Sequence, residues 1–486
     1  MHGEIATADL QERLEELEQL GLSRRLRLVS GPQGPTVLLD GQPVLLLCSN
    51  NYLGLADHPR VREAAAEAAM RWGVGAGASR LISGTMTIHR RLEERLAEFT
   101  GRRSCLLFGS GYLANLGTIG ALAGRGDTVY SDELNHASIV DGCRLSRAEV
   151  VVYRHRDIEH LLWSMRHHSG GRREGRGGHV IVTDSIFSMD GDLAPLEQLV
   201  ELAQASGARL VVDEAHAIGT FGPEGRGALA AVGLEGEVDA IVGTLGKSLG
   251  SYGAYVCGDA ELTRYLLNMA RSFIFSTAPP PPAVAGALAA LELLEQRPHR
   301  VERLATNARA LRRALATEGF EVQEGEMHIV PLILGEEHDT LRLCQAAIEQ
   351  GVFAQAIRPP TVPAGTSRLR LAAMASHTAS DMRMAAEVLA RAARKLGLDP
   401  AEIGSPPEPE PAYEPVEEPE RELVVSAAAR AAQTAPPAAP FDIEAPRPRR
   451  PPAPPSTALD SDRSDAPAEA NAPFDGERDE AVARAA

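Results

Sequence analysis

The sequence predicts an α/β protein: a mainly parallel sheet covered by helices on both faces, followed by a smaller α+β domain and a tail. Three observations carry this reading. Short apolar runs recur at Cys105–Phe108, Thr128–Ser131, Glu149–Tyr153, His179–Asp184, Arg209–Asp213, Ala240–Gly243 and Ala254–Cys257, as strands buried on both faces require. Helical patterns such as Asp157–Met165 and Leu196–Gln204 separate several of them, the rhythm of strands joined by crossover helices. Polar residues (His136, Asp184, Asp213 and Lys247) close or follow these runs, where ligands of such sheets bind.

Taken in order, Leu10–Leu28 carries leucines at helical spacing among charges and reads as an amphipathic helix. Val37–Asp40 and Val44–Cys48 flank Asp40-Gly41, a strong hairpin signal. Arg60–Trp72 is an alanine-rich helix stopped by Gly73, and Gly73–Arg80 is a glycine-rich loop. Thr87–Thr100 is a helix, and Gly109–Asn115 opens another that reaches about Leu122. A strand, a small-residue turn and a helix aim free backbone N–H groups at whatever precedes the helix, and phosphate is a frequent guest. Ser169–Gly178 is a basic, glycine-rich stretch read as a surface insertion.

Pro279–Pro282 opens a new region, with helices at Ala283–Glu295, Val301–Glu318, Asp339–Gln350 and Ser380–Leu396. Strand-like runs lie at Ile329–Leu334, Val352–Ile357 and Leu369–Ala372. The expected organisation is therefore an N-terminal helix and hairpin segment (1–60), a large domain (61–282), a small α+β domain (283–403) and a tail (404–486). The tail holds 17 of the 33 prolines, 17 acids against 8 arginines, and no lysine. Such a composition cannot bury enough apolar surface to offset chain entropy, so disorder is expected.

A net charge of −17 argues against a general affinity for nucleic acid or anionic lipid. The five cysteines, Cys48, Cys105, Cys143, Cys257 and Cys344, are scattered and mostly within apolar runs. Buried thiols in a reducing compartment are expected rather than disulfides or a metal framework. No apolar run is long enough to span a membrane, and Met1-His2-Gly3-Glu4 does not read as a secretion signal. A cytoplasmic protein is expected.

The chemistry centres on Asp239–Cys257, where Lys247 stands between Gly246 and Gly250 on a turn joining two apolar runs. A lysine held in a partly dry turn loses basicity and becomes a nucleophile or base. Two fragments invite another reading. Asp213-Glu214-Ala215-His216 matches an acidic helicase box, and Gly246-Lys247-Ser248 resembles the end of a phosphate-binding loop. That loop needs a glycine where Ile241 stands, and the two fragments occur in reversed order, so an NTPase is set aside. Singly, Asp213 could be a helix cap and His216 a satisfied core histidine. Together with Lys247, His136 and a phosphate-ready helix start, they are the parts that pyridoxal phosphate needs: an amine for its aldehyde and a carboxylate for its ring nitrogen.

Six stretches, Ser49–Gly54, Asp132–Ser138, Phe187–Gly191, Asp213–Gly219, Gly243–Gly250 and Arg358–Arg370, resemble in order and spacing the α-oxoamine synthases among the fold-type I pyridoxal phosphate enzymes. The resemblance covers about residues 10–400. It implies a fold-type I, aminotransferase-like architecture, pyridoxal 5'-phosphate as cofactor, and an acyltransferase that condenses an amino acid with an acyl thioester and releases CO2. It also implies a homodimer with a shared site, Ser276-Thr277 resembling the segment lent by the second subunit.

Residue by residue, Lys247 matches the cofactor-binding lysine, Asp213 the ring-nitrogen partner and His216 the partner of the ring hydroxyl. His136 matches the histidine stacked on the ring. Gly111, Tyr112 and Thr244 match the phosphate side, and Ser188 a residue near the ring hydroxyl and substrate. Arg370 matches the clamp for the amino-acid carboxylate, with Asn50 its neighbour. Arg24, Arg25 and Arg27 crowd together, and Arg24 is taken to face the acyl group. The stretch Ala356–Thr366 resembles members that join L-alanine to a pimeloyl thioester, on coenzyme A or a carrier protein, in biotin biosynthesis. Glycine with an acetyl thioester, and donors of longer chain, stay open as alternatives, as does a non-catalytic sensor in a different class.

Overall fold

The apolar runs form the strands of a computed structural model, which describes residues 2–168 and 178–404. Near the N-terminus, β1 (Val29–Ser30), β2 (Thr36–Leu39) and β3 (Gln42–Leu46) form an antiparallel meander. Asp40 and Gly41, at φ 48° and 85°, make the expected tight turn between β2 and β3.

The main sheet contains β4 (Ser104–Phe108), β5 (Thr128–Asp132), β6 (Glu149–Tyr153), β7 (His179–Asp184), β8 (Arg209–Asp213), β9 (Ala240–Thr244) and β10 (Ala254–Gly258). Their spatial order is β4-β10-β9-β8-β7-β5-β6. All neighbours are parallel except that β10 runs antiparallel to both β4 and β9. The reason is chain length: a parallel return from β9 needs a crossover of a dozen residues or more, and Leu245–Gly253 is too short for one.

Both faces of this sheet are dry except along the edge strand β6, where Val150 and Val152 are exposed. Along β8, Leu210 and Val212 join one hydrophobic cluster and Val211 joins the cluster on the other side, the alternation of a strand covered twice. Helices Pro59–Trp72, Thr87–Phe99 and Pro281–Gln296 share the first cluster, and Gly111–Leu122 and Ala137–Ser146 pack in the other. Pro281 and Pro282 occupy the first turn of their helix, where a missing N–H costs nothing.

A third cluster unites β2 and β3 with β11 (Ile329–Gly335), β12 (Val352–Phe353), β13 (Gln355–Ile357), β14 (Ser367–Ala372) and helices Glu337–Glu349 and Ala379–Lys395. Helix His299–Thr317 bridges the units: Leu304 sits in the main cluster, and Leu311 and Leu315 in this one.

Two expected elements are corrected. The first helix is His2–Gln19, not Leu10–Leu28. Gly21, at φ 66°, takes the left-handed position that ends a helix, and the Leu22 N–H turns back to the Leu17 carbonyl. The leucine spacing continues past this stop into non-helical chain, and Leu26 and Leu28 lie exposed. The run Val352–Ile357 is two strands, because the chain changes sheets at Ala354: β12 pairs in parallel with β3, and β13 pairs antiparallel with β14.

The expected tail lies outside the described residues except for Gly404, as does the basic stretch Ser169–Gly178 except for Gly178. Four cysteines are buried, Cys48 is half-buried, and all five thiols are free. Among the described residues, no helix is long and apolar enough to cross a membrane.

Candidate active site

The carboxyl ends of β5, β7, β8 and β9 bring the polar residues together. Asp184 and Asp213 are the last residues of β7 and β8 and lie opposite each other in register. Lys247 sits on the tight β9–β10 connection, where Gly250 N–H donates to the Lys247 carbonyl at 2.9 Å. Gly250 has φ 59°, and a Cβ there would overlap the Ala56 amide nitrogen, so this turn requires glycine. The Thr244 hydroxyl accepts from Gly246 N–H and donates to the Gly253 carbonyl, both at 3.2 Å. In this structure Thr244 shapes the lysine turn.

A cavity of about 250 Å³ is lined by Asn50, His136, Ser188, His216, Lys247 and Arg370, with Cys48, Met189, Gln355 and Ile357 completing its wall. Lys247 Nζ stands 2.6 Å from His216 Nε2, and His216 Nδ1 stands 2.8 Å from the Tyr52 hydroxyl. Tyr52 donates to Asn50 Oδ1 at 2.8 Å, and Arg370 Nη2 donates to Tyr52 at 3.1 Å. The tyrosine has one proton, which goes to Asn50, so His216 must donate to it from Nδ1. Nε2 is then the acceptor for the lysine amine. Burial, followed by the charges of Lys247 and Arg370, holds the His216 pKa well below its usual value, which agrees with a neutral ring.

Burial also depresses Lys247, against the attraction of Asp213 and Asp184, to a pKa of about 8. The neutral amine is therefore available near neutral pH. In protein stripped of cofactor, the rate of capture of pyridoxal phosphate should rise about tenfold per pH unit and level off above about 8, because the neutral fraction does so. A stopped-flow pH series checks this, and a rise continuing to about pH 10 would mean an ordinary, unperturbed lysine.

A second chain of bonds fixes Asp213 and His136. Asn115 donates from Nδ2 to Asp213 Oδ2 at 2.6 Å and to Ser138 Oγ at 2.9 Å. His136 Nδ1 lies 2.8 Å from Ser138 Oγ and accepts the Ser138 N–H at 3.2 Å. Asp213 Oδ1 accepts the Ala215 N–H at 2.8 Å. The His136 backbone N–H donates to Asp184 Oδ2 at 2.7 Å, which tethers the ring's segment to β7.

Arg370 is buried on β14. Its Nε donates to the Ser188 carbonyl at 2.5 Å and its Nη1 to Asn50 Oδ1 at 3.3 Å. Each terminal nitrogen keeps a second proton for a ligand. Gly111 and Tyr112 open helix Gly111–Leu122 behind the Ser110 cap, but the Tyr112 ring is half-exposed and its hydroxyl bonds to Asp141.

Arg24 does not line the lysine cavity. It borders an adjoining one of about 960 Å³ with Arg25, Arg27 and Arg358, and Gln355 and Ile357 line both. Glu214, half of the rejected helicase box, is buried and accepts the Leu229 N–H at 2.9 Å, a structural role. The residues missed from sequence are Tyr52, Asn115 and Ser138, and Asp184, noted as a strand-end residue, was given no role. Each lies in or beside a stretch singled out earlier, but only the fold shows their bonds.

A family model described as aminotransferase class I and II matches residues 42–389. The chain belongs to this family. Among its relatives, an 8-amino-7-oxononanoate synthase of Geobacter sulfurreducens is 50% identical over 394 residues, covering 81% of this chain and 100% of its own length. One from Anaeromyxobacter dehalogenans is 52% identical over 369 residues, covering 76% of this chain and 91% of its own. A serine palmitoyltransferase from S. paucimobilis, solved with bound PLP, superposes with a TM-score of 0.75 at 34% identity, covering 80% of this chain and 98% of its own. An 8-amino-7-oxononanoate synthase from Francisella tularensis gives 0.61 at 26% identity, covering 73% and 99%.

As a member of this family the chain has the fold-type I architecture and takes pyridoxal phosphate. Its residues fit that group. An amine of lowered pKa, a buried carboxylate held by Asn115 and a helix start face the carboxyl edge of the sheet, and the Asn115 Oδ1 is buried without a partner.

Proposed function

We propose that this chain catalyses the decarboxylative condensation of L-alanine with a pimeloyl thioester, on coenzyme A or a carrier protein. The products are 8-amino-7-oxononanoate, CO2 and the free thiol, a step of biotin biosynthesis. The observation that carries the reading is 50% identity over the whole length of a relative named for that reaction.

When bound, pyridoxal phosphate supplies an electron-accepting ring that acidifies the amino acid's Cα–H. Asp213 would hold the protonated ring nitrogen, His136 would cover the ring, and His216 would bond the ring hydroxyl. Gly111, Tyr112 and Thr244 would take the phosphate side. Arg370, with Asn50, grips the substrate carboxylate through the free protons of its fork. Lys247 Nζ removes the Cα proton and returns one after CO2 leaves, its depressed pKa matching both tasks. The acyl thioester approaches through the adjoining cavity, with Arg24 facing it and Ser188 near the point of attack.

The protein acts in the cytoplasm as a homodimer, with Ser276 and Thr277 completing the partner's site. Thr277 bridges to Ser79 of the glycine-rich loop, and the neighbouring Phe275 is 72% exposed. The chain is organised as the segments 1–60, 61–282, 283–403 and 404–486.

A second reading, another α-oxoamine synthase with a different pair of substrates, draws on the higher TM-score of the serine palmitoyltransferase. A panel decides. L-Alanine, glycine and L-serine are each mixed with pimeloyl, acetyl and palmitoyl thioesters, and thiol release is followed. L-Alanine with the pimeloyl donor should be fastest; another fastest pair replaces this assignment.

A further inference from the structure

One charged cluster has no part in the chemistry above. Asp132 closes β5, and its buried Oδ1 faces His155 Nδ1 at 2.9 Å while also accepting the Leu134 N–H at 2.9 Å. Its Oδ2 accepts the Arg156 N–H at 2.9 Å. On the other side of the ring, His155 Nε2 faces Asp192 Oδ2 at 2.8 Å, and Arg156 Nη1 donates to that oxygen at 3.1 Å. Ionised carboxylates only accept, so both ring nitrogens donate and His155 is an imidazolium. Burial opposes that charge, but the hydrogen bonds and charges of Asp132 and Asp192 outweigh it and raise the pKa to about 9. The other charged groups nearby are Glu133, whose Oε1 accepts the His155 N–H at 2.8 Å, Asp190, and Arg154, paired with Asp157.

Asp192 ends the loop Phe187–Asp192, closed by Phe187 N–H to the Asp192 carbonyl at 3.0 Å and Gly191 N–H to the Phe187 carbonyl at 2.8 Å. Phe187 meets the His155 ring edge-on, with centroids 4.4 Å apart. Gly191, at φ 75°, lies so close to β11 that a Cβ would stand 2.7 Å from the Ile329 carbonyl oxygen. Between these ends lie Ser188, whose carbonyl takes Arg370 Nε, and Met189 in the cavity wall. Asp190 is paired with Arg368. Two arginines of β14 thus hold the loop on one side and His155 holds it on the other.

We propose that His155 is a positioning residue whose ring, bridging Asp132 and Asp192, holds the Ser188 carbonyl where it aims the Arg370 guanidinium at the amino-acid carboxylate. The inference rests on the carboxylate-binding role proposed for Arg370.

His155→Gln and Asp192→Asn, alone and combined, test it in cofactor-loaded protein. KM for the amino acid should rise on the order of tenfold, with KM for the thioester and the bound cofactor unchanged. The double variant should be no worse than the worse single one, because both remove one bridge. Amide exchange across residues 186–193 should speed up in every variant. Above about pH 9 the wild-type KM should climb more steeply than that of His155→Gln.

Faster exchange or a lower Tm with unchanged amino-acid KM would overturn the proposal, leaving a pin for the fold. Additive effects on KM would overturn it as well. If His155→Gln does not fold, Asp192→Asn carries the same comparison. Should L-alanine fail with every thioester, the reaction assigned above is wrong, while exchange and amino-acid binding, followed by cofactor absorbance, still judge the bridge.

Discussion

Lys247→Ala should lower turnover by roughly three orders of magnitude or more, because one amine serves as both anchor and base. The variant should fold, since losing the side chain leaves the turn's own bonds intact: Gly250 N–H to the Lys247 carbonyl, and Gly246 N–H to Thr244. It should also fail to retain pyridoxal phosphate through borohydride reduction and denaturation, whereas the parent retains it covalently. Neighbouring groups cannot substitute. A histidine cannot anchor the aldehyde as an amine does; His216, its pKa held well below the usual value by burial, is a weak base, and His136 Nδ1 is held by Ser138. Covalent retention, or normal turnover, in the purified variant would remove Lys247 from the mechanism.

Asp213→Asn should keep its shape yet lose activity by roughly two to three orders of magnitude. The two side chains are nearly isosteric, and the introduced amide oxygen can still accept the Ala215 N–H in place of Oδ1. Where Oδ2 now stands, an amide nitrogen would face the Asn115 donor across a 2.6 Å contact, so Asn115 must turn. What disappears is the negative charge that favours a protonated ring nitrogen, the condition for strong electron withdrawal. Cofactor content by absorbance should stay near that of the parent. Unimpaired turnover would show that the charge is not needed, and lost cofactor would recast Asp213 as a binding residue.

The seven strands of the main sheet are legible in the sequence because each is an apolar run bounded by turn residues, a signal that is local. The site's anchors are legible for a related reason: Asp213 and Lys247 close strands or follow them in a parallel sheet. The end of the first helix is not, because leucine spacing cannot reveal that Gly21 takes a left-handed conformation. The split at Ala354 is hidden because β-pairing partners can lie hundreds of residues away in the chain. Tyr52 is hidden likewise: its bonds reach the distant His216 and Arg370.

By itself the sequence determined the kind of chemistry. A lysine on a glycine turn, an acid at a strand end and a helix start that draws phosphate are local arrangements, and local chain geometry writes them in residue order. Only the tertiary structure decided the state of these groups. Burial lowers Lys247 and, with the charges of Lys247 and Arg370, keeps His216 neutral, and two carboxylates from distant segments charge His155. Protonation depends on which charges and how little water surround a group in space, and that is set by contacts between residues far apart in the chain.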